Sequence, residues 1–256
     1  MDASSPILEY DPTPEAILMP RPPRLSVETP QYCVLTFFKD VLAELADTGR
    51  LEPVGAQNSE IGPHPLYRLM TEDGRAILVG HAGLGGPLSA GLLEELIALG
   101  IRRFMVCGGC GVLDASRAVG HPVILTGAVR DEGTSYHYLP PSREVAAHPQ
   151  AVAALEAACR DRGIEYSLGK SWCTDAIYRE TRERRERRLQ DGCVVVEMES
   201  AALFAVARFR GIVLGEVVYS GDVVVPEAWD GREWVSRKDI RSFMFWLAVV
   251  ACLRLN

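Results

Sequence analysis

Apolar segments of two kinds alternate along this chain, and their alternation limits the folds open to it. Short segments rich in β-branched and aromatic residues, such as Tyr32–Phe37 and Ile212–Ser220, are typical of buried strands. Between them, segments such as Ser89–Leu99 repeat apolar residues at helical spacing and end at a glycine. The alternation predicts a single-domain α/β fold of three α/β/α layers, in which helices cover both faces of a mostly parallel, twisted sheet.

The first 30 residues differ from the rest in composition. They contain seven prolines, and proline prevents regular helix because its ring fixes φ and removes the amide hydrogen. We therefore predict that residues 1–30 form an extended arm over the surface or over a neighbouring subunit, and that residues 31–256 form one domain. Within that domain, the pair Asp73-Gly74 predicts the turn of a β-hairpin.

Charge and hydropathy argue against nucleic acid and membrane as partners. The net charge is −7, whereas a nucleic-acid-binding protein usually presents a basic face. The arginines between residues 179 and 188 are interleaved with glutamates, which is typical of a solvated helix face with i,i+4 ion pairs. The apolar segment Phe243–Leu253 is shorter than the roughly 20 residues that span a bilayer, so it predicts a buried C-terminal helix.

The cysteines indicate a reducing compartment. There are seven, an odd number, and the N-terminal segment is acidic and proline-rich, unlike a secretory signal. We therefore expect reduced thiols in a cytoplasmic protein. Cys107 and Cys110 form a CxxC pair, but a zinc site would need a second pair or histidines at matching spacing, so we expect no metal.

Three carboxylates stand where predicted strands end. Glu197 and Glu199 share one side of their strand, because alternate residues point to the same face. Such close carboxylates are costly unless they accept hydrogen bonds, which sugar hydroxyls can donate; alternatively, Glu199 only starts the next helix. Asp222 follows an apolar strand and is either a general acid in a cleft or a turn residue.

Glycine-rich segments follow two other predicted strands. Gly83 and Gly85 precede a helix, and Gly109 and Gly111 follow the next strand along the chain. Glycines let a backbone approach a ligand closely, and the first N–H groups of a helix bind anions; the alternative is a tight turn without a ligand. Because ligands bind beyond the carboxyl ends of strands in such sheets, we expect the glycines and carboxylates to share one pocket.

The segment Val195–Leu203, which contains Glu-Met-Glu, resembles the signature of the nucleoside phosphorylase family. That family includes purine nucleoside and uridine phosphorylases and related nucleosidases. Other segments are similar to the family in order and character. These are Gly83–Pro87, Cys107–Gly111, Val119–Pro122, Val129–Tyr136 and Trp172–Arg179. The resemblance covers residues 32–250.

The resemblance implies a sheet partly closed like a barrel, and a homo-oligomer, a dimer or a hexamer, in which a neighbouring subunit completes the active site. By position, Glu199 would bind the 2′- and 3′-hydroxyls of ribose, Met198 would pack on the sugar, and Glu197 would support that wall. Asp222 stands where purine-specific members keep an aspartate that protonates the base, which favours a purine.

The resemblance also assigns residues to the two ends of the ligand. The base would lie near Ile177, Tyr178, Cys110 and Gly111. The phosphate, or the nucleophile that replaces it, would lie near Gly83, Gly85 and Gly109.

The sequence departs from the family at the phosphate site. The family has an arginine where this chain has Val106, and a serine or threonine where it has Gly109. A second arginine near the N-terminus is also missing, and Lys39 is the cation left in that stretch. A phosphate dianion needs several donors and an opposing charge. Either Lys39 or Arg130 binds phosphate, alone or together with a neighbour's arginine, or water is the nucleophile, or the nucleoside is bound without cleavage.

The sequence thus predicts an enzyme that cleaves the N-glycosidic bond of a nucleoside, with purines favoured. Phosphorolysis to the free base and ribose 1-phosphate is the first reading, with hydrolysis and binding without cleavage as alternatives. Cleavage builds positive charge on the ribose and negative charge on the base, so carboxylates near the sugar and a proton donor near the base suit it. No cofactor is expected, and inorganic phosphate is the expected co-substrate.

Overall fold

A computed structural model describes residues 5–256, in which strands and helices alternate as predicted. The strands are β1 (Tyr32–Thr36), β2 (Glu52–Ser59), β3 (Gly62–Met70), β4 (Ala76–His81), β5 (Arg103–Val112), β6 (Pro122–Asp131), β7 (Glu144–Ala146), β8 (Ser167–Thr174), β9 (Cys193–Glu197), β10 (Val213–Val224) and β11 (Trp229–Asp230). The α-helices are α1 (Lys39–Asp47), α2 (Gly86–Ala98), α3 (Pro149–Arg160), α4 (Arg182–Gln190), α5 (Ser200–Arg210) and α6 (Lys238–Cys252).

Five of the strands close into a barrel. β5 pairs in parallel with β10, β10 pairs antiparallel with β6, β6 and β8 pair in parallel, as do β8 and β9, and β9 returns antiparallel to β5. β1, β4, β3 and β2 extend the sheet outward from β5 in that order. The predicted α/β fold with a partly barrel-like sheet is confirmed, with antiparallel pairs in the outer strands and at two joints of the barrel.

Helices pack on both faces of this sheet and form the predicted three layers. On one side, α2 and α5 contact each other and bury Leu93, Leu96 and Leu203 against the barrel. On the other side, α1, α3 and α6 bury residues such as Leu155 and Phe245. Removal of these apolar side chains from water supplies the main stabilising free energy of both layers.

The glycine-rich segment Gly108–Gly111, predicted as a turn, is instead part of β5. Neighbouring strands pair along it on both sides, β10 on one and β9 on the other. A Cβ atom at Gly111 would lie 2.8 Å from Val224 and 2.9 Å from Val196. Glycine is therefore required there by the close approach of three strands rather than by a turn.

β10 also extends further than predicted. Gly221 and Asp222 were expected to end the strand, but β10 continues to Val224. Its register with β5 shifts between Ser220 and Val223, as in a β-bulge. Bulges change the direction in which a side chain points, and this one lies at the position of Asp222.

The hairpin predicted around Asp73-Gly74 joins β3 and β4, so that prediction is confirmed. β2 and the first residues of β3, which pair with each other, were not predicted from the sequence. Pro53 and Gly55 interrupt the alternation that would have identified β2, and the register shifts between these two residues.

The proline-rich segment runs along the outside of the domain where it is described. Leu25 forms an isolated bridge with Gly55 of β2, and the carbonyl oxygen of Pro14 accepts a hydrogen bond of 2.9 Å from Arg210. Residues 1–4 of the predicted arm lie outside the described residues. The division into an arm up to residue 30 and a domain after it stays a prediction.

Three further observations concern membrane-spanning helices, cysteine thiols and metal sites. Within residues 5–256, no helix combines the length and the hydropathy that crossing a bilayer requires. All seven cysteines are buried free thiols. Over the same range, no group of three or more histidine, cysteine or carboxylate side chains is arranged to hold a metal ion.

Candidate active site

A cavity of about 980 Å³ opens where β1, β4, β5, β9 and β10 end. Nine of the predicted site residues line it. They are Gly109, Cys110, Gly111, Ile177, Tyr178, Glu197, Met198, Glu199 and Asp222. A second cleft, of about 1010 Å³, lies between the proline-rich segment and α2, and none of the predicted residues lines it. The first cavity is therefore the candidate active site.

The glycine-rich segment before α2 contacts the carboxyl group of Glu199. Its side chain is buried, with 5% of its surface exposed. Its Oε1 accepts a hydrogen bond of 2.6 Å from the backbone N–H of Gly85, and its Oε2 accepts one of 3.3 Å from Met198 N–H. Gly83 and Gly85 have φ values of +81° and +80°, which favour glycine, and this backbone turns the N–H group toward Glu199. Gly85 thus holds a wall of the cavity from behind, whereas neither Gly83 nor Gly85, both predicted near the phosphate, lines the cavity itself.

Glu197 has a supporting role in the same wall. Its Oε2 accepts hydrogen bonds of 2.7 Å from the backbone N–H groups of Glu199 and Ser200, and its Oε1 accepts one from the Ser200 hydroxyl. These are the otherwise unpaired donors at the start of α5. Glu197 is therefore satisfied by the protein itself and fixes the backbone that carries Glu199.

Burial sets the protonation of Glu199. Burial, and then the adjacent Glu197 carboxylate, raise the pKa of Glu199 well above its ordinary value, and the N–H groups of Gly85 and Met198 offset only part of this shift. Ribose hydroxyls that donate to the carboxylate would favour its charged form. The site is thus unfavourable for an ionised carboxylate until a hydroxyl-bearing ligand binds.

A second pair of carboxyl groups lines another part of the cavity. Asp222 is half-buried, and its Oδ2 accepts a hydrogen bond of 2.6 Å from the indole N–H of Trp229. Glu180, which the sequence analysis missed, lines the same cavity. Burial, and then the charge of Asp222, raise the pKa of Glu180 to about 7. Ile177 and Tyr178 belong to the 3₁₀ turn just before Glu180, so the residues predicted near the base lie together.

Lys39 and Arg130, predicted near the phosphate, do not line this cavity. Lys39 is exposed at the start of α1. Arg130 is buried, and its guanidinium donates to the hydroxyls of Ser135 and Ser142 and to the carbonyl oxygens of Leu139 and Pro140. Those contacts hold the loop after β6, so the placement of Arg130 beside the nucleophile is corrected.

Trp234 explains why glycine replaces the family's serine or threonine in β5. A Cβ atom at Gly109 would lie 2.7 Å from a carbon of the Trp234 ring. The backbone of Trp234 is held in turn, because its carbonyl oxygen accepts a hydrogen bond of 2.7 Å from Tyr219. The indole ring thus occupies the space that a side chain at residue 109 would need.

Glu216 is another residue that the sequence analysis missed. It lies in β10 beside Val106, it lines the cavity, and only 1% of its surface is exposed. Its Oε2 is buried without a hydrogen-bond partner. Burial, and then the charges of Glu197 and Glu199, raise the pKa of Glu216 well above its ordinary value. A single acid inside an otherwise apolar strand segment was the available signal.

Replacement of Glu216 by glutamine should stabilise the protein, by an amount that grows with pH. A carboxyl group whose pKa is raised by folding favours the folded state at low pH and loses that contribution as pH rises toward the folded pKa. Glutamine has the same shape and does not ionise, so the wild type should lose up to about 1.4 kcal/mol more per pH unit than Glu216→Gln. Urea unfolding at about pH 6 and about pH 9 measures the free energy of unfolding of both proteins. A difference between wild type and Glu216→Gln that is equal at the two pH values would contradict the prediction.

Comparisons with known proteins agree with this geometry. Residues 31–244 match the model of the phosphorylase superfamily. Guanosine phosphorylase of Halorubrum lacusprofundi is 35% identical over 182 residues, which are 70% of this chain and 71% of that protein. Uridine phosphorylase of Haemophilus influenzae is 32% identical over 160 residues, 57% of this chain and 63% of that protein.

A solved structure shows the same fold. The purine nucleoside phosphorylase of Toxoplasma gondii, in complex with immucillin-H, superposes with a TM-score of 0.71 at 20% identity and covers 88% of this chain and 92% of its own. The chain belongs to the phosphorylase superfamily. The family that the Glu-Met-Glu segment resembles is thereby confirmed.

Proposed function

We propose that this protein cleaves the N-glycosidic bond of a nucleoside by phosphorolysis and releases the free base and ribose 1-phosphate. One observation supports this most strongly: a single cavity holds the buried carboxylate of Glu199 and, separately, the carboxyl pair of Asp222 and Glu180. Membership of the superfamily and the names of the relatives support the same reaction.

Glu199 acts on the ribose in this reaction, and the carboxyl pair of Asp222 and Glu180 lies where the base leaves. The C1′–N bond breaks, its electron pair goes to the base, and a phosphate oxygen bonds to C1′. Glu199 accepts hydrogen bonds from the 2′- and 3′-hydroxyls, and its ionised form stabilises the positive charge that grows on the ribose. Met198 packs against the sugar, while the protonated form of Asp222 donates its proton to the departing base and is left as a carboxylate. Inorganic phosphate is the co-substrate, and the scheme uses no cofactor.

A purine nucleoside is the proposed substrate. Ile177 and Tyr178 offer exposed apolar and aromatic surface on which a base can stack. Asp222 and Glu180 offer carboxyl groups to the hydrogen-bonding atoms of a purine. Guanosine is the first nucleoside to test, because the Halorubrum relative is named a guanosine phosphorylase.

The reaction type can be tested directly with the purified protein. Guanosine and uridine are incubated with and without inorganic phosphate, and ribose 1-phosphate and free ribose are both quantified. We expect turnover of guanosine that requires phosphate and yields ribose 1-phosphate. Release of free ribose at the same rate without phosphate would identify a nucleosidase instead. Tight nucleoside binding without turnover would identify a binding protein.

The homo-oligomer implied by the resemblance is also a proposal. Its support is apolar surface on the proline-rich segment: the side chains of Ile17 and Leu18 are fully or largely exposed, at 111% and 80%. Large apolar side chains of this kind, close together, often contact another chain.

A further inference from the structure

The charges around the cavity are unevenly distributed. Five carboxyl side chains line it, and Arg241 is the one arginine or lysine among the described residues that do so. A phosphate dianion needs an opposing charge and several donors. Val106, at the position of the family's arginine, is fully buried and apolar, and Lys39 lies outside the cavity. The positive charge for a phosphate must therefore come from Arg241 or from another chain.

The guanidinium of Arg241 is only partly used by the protein. Its Nη1 donates a hydrogen bond of 2.8 Å to the carbonyl oxygen of Val235. Its Nη2 lies 3.1 Å from Oδ1 of Asp40, yet this oxygen has no hydrogen bond, so the ion pair is poorly aligned. Its Nε is buried and has no acceptor. Nη2, which is poorly aligned with Asp40, is therefore the donor that Arg241 keeps for a further oxyanion.

Packing fixes where this guanidinium lies. The side chain is 15% exposed, and its centre lies 5.0 Å from the ring centroid of Phe38. Phe38 follows β1, which pairs with β5, the strand that carries Gly109. Trp234, four residues before the start of α6, packs on that same glycine. Arg241 therefore lies at the end of the cavity where the sequence placed the phosphate.

The neighbouring groups are compatible with an anion. Burial lowers the pKa of His81, and the nearby His64, Lys39 and Arg241 lower it further, while a hydrogen bond with the backbone of Phe37 opposes them, so the neutral imidazole is favoured. Burial, and then the charges of Glu197 and Glu199, raise the pKa of Glu216 well above its ordinary value, which favours its uncharged form. Neither group would place a negative charge against a phosphate.

We propose that Arg241 binds the inorganic phosphate co-substrate, with His81 beside it, in place of the arginines that the family carries elsewhere. This inference rests on the proposed function and specifies its phosphate site. The phosphate accepts a hydrogen bond from Nη2 of Arg241, and Asp40, whose Oδ1 lies 3.1 Å from the same nitrogen, competes with it.

Steady-state kinetics with saturating guanosine and varied phosphate test the proposal. Arg241→Met should raise the KM for phosphate by about tenfold or more and change the KM for guanosine by less than about twofold. Arg241→Lys should lie between wild type and Arg241→Met, because it keeps the charge but not the fork. Asp40→Asn should lower the KM for phosphate roughly twofold to threefold, because it removes the competitor. Lys238→Met, in the same turn of α6 but outside the cavity, is the control and should change neither value.

The KM for phosphate should rise in Arg241→Met and fall in Asp40→Asn, and these opposite changes separate phosphate binding from a structural role. If Arg241 and Asp40 formed only a structural pair, Arg241→Met and Asp40→Asn would change the kinetics alike, and that result overturns the proposal. So does an unchanged KM for phosphate in Arg241→Met. Calorimetric titration of the folded variants with inorganic phosphate adds a readout without turnover. If the wild type released ribose without phosphate, the proposed function would fail, and the calorimetric titration alone would test the phosphate site. Loss of phosphate affinity in Arg241→Met would then support an oxyanion site at this residue. No binding of phosphate to the wild type, or equal affinity in both proteins, would overturn it.

Discussion

Glu199→Gln is expected to lower kcat/KM for guanosine by about a hundredfold or more. Glutamine keeps an oxygen that can accept the hydrogen bond of 2.6 Å from Gly85, so the wall of the cavity stays in place. What it removes is the negative charge opposite the positive ribose of the transition state. Initial rates with guanosine at saturating phosphate measure the loss.

Although Glu199→Gln should lose activity, its folded state should be more stable than that of the wild type at high pH. Folding raises the pKa of Glu199, so this group favours the folded state at low pH and loses that contribution as pH rises through the folded pKa. At about pH 9, Glu199→Gln should therefore melt at a higher temperature than the wild type. Sites of function often reduce stability in this way.

Glu197→Gln is the matched control for that result. Glu197 accepts hydrogen bonds from two backbone N–H groups and one hydroxyl, and an amide cannot replace a carboxylate in all of them. We expect this variant to be less stable than the wild type by about 1–3 kcal/mol. A Glu199→Gln protein that is destabilised like Glu197→Gln, and that turns over guanosine normally, would show that both carboxylates are structural.

The parts of the site that depend on short segments could be predicted from the sequence. Glu197 ends β9 and Glu199 immediately precedes α5, so a few neighbouring residues place both carboxyl groups where this strand passes into this helix. The left-handed backbone at Gly83 and Gly85 is likewise a local property of glycine. These predictions needed no information about which strands are neighbours.

The parts that depend on distant pairing could not be predicted. The glycines of β5 looked like a turn, because nothing nearby in sequence shows that β10 pairs with them. Trp234 packs on Gly109 across 125 residues of chain. Arg241 reaches the cavity from α6, whose apolar residues indicate only a buried helix. A charged residue on a helix gives no local sign that it faces a ligand.

Arg130 was predicted to lie in the site, but the structure places it outside the cavity. It stands at the end of a strand in a segment that resembles the family, so a role at the nucleophile was a reasonable prediction. The loop that follows supplies two hydroxyls and two carbonyl oxygens to its guanidinium, and these acceptors draw it away from the cavity. A buried arginine takes whichever acceptors its surroundings provide, and sequence position alone does not identify them.

Asp222→Asn is expected to reduce the turnover of guanosine by about a hundredfold or more, because asparagine cannot deliver a proton to the departing base. The side-chain oxygen of asparagine can still accept the hydrogen bond from Trp229, so the segment after β10 should keep its position. The decisive comparison uses 7-methylguanosine, whose base carries a positive charge and leaves without being protonated. Its turnover should fall by less than about tenfold in the same variant.

Trp229→Phe separates proton donation from the position of Asp222. It removes the indole N–H that lies 2.6 Å from Oδ2, yet leaves the carboxyl group in place. With guanosine, we expect Trp229→Phe to lose less turnover than Asp222→Asn does. Within Trp229→Phe, the losses with guanosine and with 7-methylguanosine should be similar, because a displaced acid affects both substrates through binding. Equal losses for the two nucleosides in Asp222→Asn, or full activity with guanosine, would mean that Asp222 does not protonate the base. Glu180, whose pKa of about 7 keeps it partly protonated at neutral pH, would then be the acid to replace next.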